Sequence, residues 1–273
     1  MPSPDPEIPS GEAPAVFTPV ARPEFAAPPS DLENPPWNIW DVLRIVVVAL
    51  ITIGLFSIVA MTLAAHGEKS RAVLERLARN PRVVIPAQMA AYLVVIGYMV
   101  AIVRMAGRPF WTTIQWNFPA RAAAGFGALG VALAILVQTA SALLPIPKSL
   151  PIDQYFSDTA GAYLMTIFGV TFAPLVEELF FRGFLYPVVA RRLGVGVSVA
   201  ITALCFALIH EAQLAQAWAP LLLLWFVGLV LTAVRAWTKS VGASLCVHVG
   251  YNFTLFLLLY LASDHFRHLE KLG

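Results

Sequence analysis

A chain of 273 residues that is 59% hydrophobic, only 12% charged and nearly neutral, at a formal net charge of +2, is no ordinary soluble domain, which carries about 25% charged residues. Its mean hydropathy of +0.74 marks an integral membrane protein, and the balanced charge argues against nucleic acid as a partner. The two cysteines, Cys205 and Cys246, both fall inside apolar runs, which excludes a disulfide framework.

Residues 1–36 hold eleven of the 21 prolines and six acids against the single cation Arg22. Such a segment cannot bury enough apolar surface to offset its ordering entropy, so it is expected to be a disordered, extended tail. It lacks the basic start and apolar core of a signal peptide. Residues 37–158 read as an N-terminal transmembrane region, 159–262 as a catalytic core and 263–273 as a short polar tail.

Runs of about 20 apolar residues are long enough to cross the hydrocarbon core as helices. Seven are predicted: Arg44 to Ala65, Val83 to Val103, Ala122 to Leu144, Gly161 to Phe180 with a continuation to about Val189, Val195 to Ile209, Trp218 to Val234 and Gly242 to Leu261. The fold class is therefore all-α, a polytopic membrane helix bundle of about seven transmembrane helices. Between the first two spans, Lys69, Arg71, Arg76, Arg79 and Arg82 surround Val73, Leu74 and Leu77, a pattern that suits a short helix on an anionic membrane surface. Lysine and arginine counts in the short loops tie at eight on each face, with Arg235 counted among the loop cations, so the positive-inside rule assigns no orientation.

The fourth span contains Glu177-Glu178-Leu-Phe-Phe-Arg182. Charges at bilayer depth are expensive and sit in protein-lined or wet cavities, so this cluster is the first candidate site. Four residues apart on a helix, Glu178 and Arg182 share a face and can pair. Glu177, rotated by about 100°, points elsewhere and is left to act as a base. Pro174 cannot donate to the carbonyl of Val170 and should disturb the helix just upstream, while Gly183 should allow close helix approach.

Downstream, Phe206-Ala-Leu-Ile-His210 ends one apolar run, with the Phe206 ring placed to orient the imidazole, and His248-Val-Gly-Tyr-Asn252 opens another. His248 and Asn252 present an imidazole and a carboxamide on one face, a pair suited to stabilising an oxyanion. Counting about 1.5 Å per residue puts His210 about 22 Å and His248 about 9 Å from a shared membrane face, a gap that tilted or broken helices must close. Ser198 and Ser244 lack the setting of a serine nucleophile, and Asp153, Asp158 and Asp264 fall in loops, so serine and aspartyl mechanisms are disfavoured.

EExxxR, FxxxH and HxxxN in this order, over roughly Thr159 to Leu261, resemble the CPBP family, the type II CAAX prenyl endopeptidases also known as the Abi family. The resemblance implies a conical catalytic cavity and an intramembrane protease acting on membrane-anchored protein or peptide substrates, prenylated or otherwise apolar. It implies catalytic roles for Glu177, His210, His248 and Asn252, and supporting roles for Glu178, Arg182 and Phe206. Members are commonly labelled metalloproteases, but a metal-free glutamate mechanism has been argued for them. Glu177, His210 and His248 with a water would make a zinc shell, yet His210-Glu211-Ala-Gln-Leu214 is no HExxH motif. The reading adopted is water activation with no required metal; zinc on those three residues is the alternative. A second alternative is a non-catalytic membrane scaffold or bacteriocin-immunity-type protein on the same fold. The localisation implied is multi-pass in a membrane, the plasma membrane for a prokaryote.

Overall fold

The computed structural model describes residues 1, 34–68, 70–156 and 158–268. Most of the proline-rich tail, Lys69 and the last five residues lie outside the described set.

Helices are the regular structure of the described residues, with no strand among them. The elements are α1 (Ile39–Ala64), α2 (Arg71–Ala78), α3 (Pro81–Met105), the single turn α4 (Phe110–Thr113), α5 (Ala123–Ser141), α6 (Thr159–Ile167), α7 (Ala173–Glu178), α8 (Tyr186–Leu208), α9 (Trp218–Thr238) and α10 (Val241–Ala262). Two π-helical turns, Phe168–Phe172 and Leu179–Leu185, join α6 to α7 and α7 to α8.

Helix starts follow their caps. The Asn38 carboxamide accepts from Trp40 N and its own N–H donates to Asp41, a reciprocal cap that starts α1 five residues ahead of the predicted Arg44. Asn80 caps α3 with Pro81 at its first position, and Ser240 caps α10. The basic run forms the short helix α2 expected of it, capped by Ser70, with Leu77 buried.

Six helical stretches are long and apolar enough to cross a membrane, and the chain is an integral multi-pass membrane protein. One of the six, Thr159–Leu208, runs for 50 residues, which a straight α-helix would stretch to about 75 Å against a hydrocarbon core of about 30 Å. Gly194 breaks it, at φ 77° and ψ 168°. Glu177 and His210, 33 residues apart, would be separated by roughly 50 Å on one straight helix, yet their side chains approach to 3.8 Å. The chain therefore folds back at Gly194, and the stretch supplies the fourth and fifth of the seven predicted spans.

α10 packs along α5 and α9, α8 along α9, and α1 along α3. Small residues set the closest crossings, as expected where lipid offers no hydrophobic drive between helices. A Cβ on Gly130 would collide with Val247 O, one on Gly250 with Gly127 O, and one on Gly228 would meet Ala203 Cα at 3.0 Å. Gly183, expected to serve this purpose, does not: an added Cβ there meets nothing nearer than 3.7 Å.

The described residues next to both predicted tails are held by contacts with the bundle. Arg191 donates to Asn34 Oδ1, Pro35 O and Trp37 O. Trp37 is buried and stacks on Phe184 at 4.3 Å. Past α10, Phe266 is 1% exposed against Tyr163 and Tyr260.

Candidate active site

The geometry of the glutamate segment starts with its backbone. Ala173 N–H reaches back five residues to Phe168 O, and the next residue, Pro174, has no N–H to give. The predicted disturbance at Pro174 thus takes the form of a wide turn, and Gly169 O gets no donor from its own helix. Asn252 Nδ2 of α10 supplies one at 2.7 Å. The π-turns on either side of α7 set the rotation at which its two adjacent glutamates face the other helices.

Glu178 faces inward. Its Oε1 accepts from Arg182 Nη1 at 2.9 Å, and both side chains are 0% exposed. The same oxygen accepts from His248 Nδ1 at 2.9 Å. Arg182 also donates to Gly228 O at 3.3 Å, and its guanidinium lies 4.7 Å over the Phe206 ring. The predicted pairing of Glu178 with Arg182 is present, and the sequence contained no sign that His248 joins it.

Glu177 faces the other way, with its side chain 14% exposed. Its Oε1 stands 3.8 Å from His210 Nε2 and its Oε2 stands 3.7 Å from His248 Nε2. α7, α10 and the turn after α8 thus bring their residues to one carboxylate. His210 lies just past the last residue of α8 and folds back one turn, so that Nδ1 donates to Phe206 O at 2.8 Å. Both imidazoles nonetheless meet the same carboxylate, one at each oxygen, despite the depth gap counted along the helices. Phe206, 1% exposed, sits between the two imidazoles, its ring 5.1 Å from that of His210 and 5.7 Å from that of His248.

Each imidazole has its Nδ1–H committed, one to a carbonyl and one to a carboxylate. In the neutral form each Nε2 then carries a lone pair directed at Glu177. Such orientation by a second acceptor suits a base, a water acceptor or a metal ligand. It also sets a condition on the expected oxyanion role of His248, whose Nε2 can donate only when the ring is doubly protonated. Asn252 gives one amide hydrogen to Gly169 O and keeps the other. The donor chemistry of Glu177, His210 and His248 suits a metal, but among the described residues no group of three His, Cys, Asp or Glu is spaced to hold one.

Residues that the sequence did not single out also shape the site. Trp37 Nε1 donates to Phe184 O at 3.1 Å and Arg235 Nε to Arg182 O at 3.2 Å, both on the second π-turn. Arg235 is 3% exposed, so its inclusion among the loop cations is corrected: it is a buried side chain of α9. From α3, Tyr92 packs its ring 6.2 Å from Phe168 and takes a hydrogen bond from Gln88 at 2.8 Å.

Residues 159–254 match the family of type II CAAX prenyl endopeptidase Rce1-like proteins. The resemblance read from the three motifs is borne out over this stretch, which contains all seven motif residues. No curated protein and no solved structure matches the chain.

Proposed function

We propose that this chain is an intramembrane endopeptidase of the CAAX-protease type that hydrolyses a peptide bond in membrane-anchored protein or peptide substrates, prenylated or otherwise apolar. The observation that carries the reading is the convergence of two histidine Nε2 atoms on the two oxygens of one partly exposed carboxylate, Glu177. A purely structural ion pair has no use for it, because the adjacent Glu178 already neutralises Arg182.

A water between Glu177 Oε1 and His210 Nε2 donates one hydrogen to each and keeps a lone pair for attack. As its oxygen bonds to the scissile carbonyl carbon, Glu177 takes its proton, a role worth roughly 10²–10⁴ in rate. The second Asn252 N–H, and His248 Nε2 when protonated, donate to the carbonyl oxygen as it becomes negative. The C–N bond then breaks, and the proton held at Glu177 goes to the leaving amine. We propose that no metal is required. Glu177, His210 and His248 are the residues whose donor chemistry suits zinc, and they would have to draw closer together to hold it.

The test is purified protein in lipid vesicles with a farnesylated CAAX peptide, with products read by mass spectrometry. Cleavage that releases the terminal residues supports the reading. An intact substrate with folded protein, across prenylated and unprenylated apolar peptides, favours the scaffold alternative.

A further inference from the structure

In an α-helix each carbonyl is met by the N–H four residues on. At the second π-turn Tyr186 N–H reaches back five residues to Phe181 O, passing over Arg182 O. The next donor in line would be residue 187, which is proline and has none. Arg182 is fully buried, out of reach of bulk water. Arg235 Nε, from α9, donates to Arg182 O at 3.2 Å, and the guanidinium lies 5.4 Å over the ring of Tyr186.

The same construction occurs once more on the same segment, where the turn at Phe168–Phe172 precedes Pro174 and Asn252 meets the carbonyl left over. Two wide turns, each followed two residues on by a proline and each completed by a side chain from another helix, bracket the glutamate pair. The recurrence indicates that the prolines and the cross-helix donors work as sets.

We propose that Arg235 is a positioning residue, supplying from α9 the hydrogen bond that Pro187 denies to Arg182 and thereby setting the orientation of His248. The linkage runs from Arg235 to the Arg182 backbone, from the Arg182 guanidinium to Glu178 Oε1, and from that oxygen to His248 Nδ1. Loss of the donor frees the π-turn to rewind, rotates Arg182 and removes the acceptor geometry that holds the His248 tautomer.

The experiment compares wild type, Arg235→Met, Arg235→Lys and the double variant Arg235→Met/Pro187→Ala, in which residue 187 regains an N–H. The kinetic arm rests on the endopeptidase reading, so a second arm records the ¹⁵N signals of the His248 imidazole in histidine-labelled protein, independent of activity. Arg235→Met is expected to lower kcat by roughly tenfold to a hundredfold with KM within about twofold, as for loss of orientation at a reacting centre. It should also shift the His248 Nδ1 signal away from the hydrogen-bonded position. Arg235→Lys should fall between, and Pro187→Ala should recover most of both losses. If Arg235→Met does not fold, recovery of folding in the double variant supports the proposal in the same way. An unshifted His248 signal in Arg235→Met, or no recovery of signal, rate or folding with Pro187→Ala, overturns the proposal. Absence of cleavage by the wild type, with the ¹⁵N pattern as expected, sinks the endopeptidase reading alone.

Discussion

His248 donates through Nδ1 to Oε1 of Glu178 at 2.9 Å, and this bond decides what the other edge of the imidazole can do. It binds a histidine of α10 to the buried glutamate of α7 and leaves Nε2 facing the accessible one, 3.7 Å from Glu177 Oε2. The adjacent glutamates are thus placed differently: Glu178 is locked into the buried frame and Glu177 stands at the accessible side, where the proposed mechanism puts the water.

Glu178→Gln removes the charge that balances a guanidinium at 0% exposure. Breaking a buried pair from one side costs about 3–5 kcal/mol, so a large drop in thermal midpoint or in yield is expected. Unchanged melting together with dead chemistry would reverse the roles given to the two glutamates.

Asn252→Ala takes away a helix brace and, in the proposed mechanism, an oxyanion donor. Cleavage is expected to fall by about 10²–10³ in kcat, the usual cost of one such donor. Adding Pro174→Ala returns a backbone N–H near Gly169 O and should restore thermal stability without restoring rate. If rate returns as well, Asn252 is a brace and nothing more.

Metal removal should leave activity in place. Purified active protein is expected to hold zinc well below one per chain and to keep cleaving after exhaustive chelation. Zinc at one per chain, with activity lost on chelation and regained with metal, makes Glu177, His210 and His248 a ligand set.

Asp158 caps α6 through Gly161 N–H at 3.0 Å and meets Arg82 at 2.7 Å, and the Gly161 bond foremost holds its carboxyl below the usual carboxylate range. A depressed folded-state pKa adds stability that is present above the unfolded value and fades as pH falls through the folded one. The site is largely exposed, so the effect is small, at most about 1 kcal/mol. Asp158→Asn keeps a capping oxygen, and its deficit in thermal midpoint near neutrality should shrink on acidification below about pH 4. A deficit that does not change with pH would remove the carboxylate from the account.

Much of this was legible in the chain. Apolar runs located the spans, and the four-residue spacings of Glu178 with Arg182 and of Phe206 with His210 placed each pair on one helix face. The π-turns were not legible, because a hydrogen bond to the fifth residue back leaves no mark in periodicity. Their trace was Pro174 and Pro187 inside an otherwise unbroken apolar stretch. Arg235 was misassigned because a cation near the end of a span reads as a loop charge unless its buried partner, here a backbone carbonyl, is known. The close contacts of Gly130, Gly228 and Gly250 depend on which helices cross, which no local motif states, whereas Gly183 stands beside the motif in ordinary contact only.

Cleavage by Glu177→Gln tests the central claim most directly. The amide matches the carboxylate in size but cannot accept the proton of the attacking water. In lipid vesicles, on an apolar membrane-anchored peptide that the wild type cuts, this variant should fold and melt like wild type and lose at least about 100-fold in kcat. Cleavage within a few-fold of wild type by a folded Glu177→Gln would contradict the account.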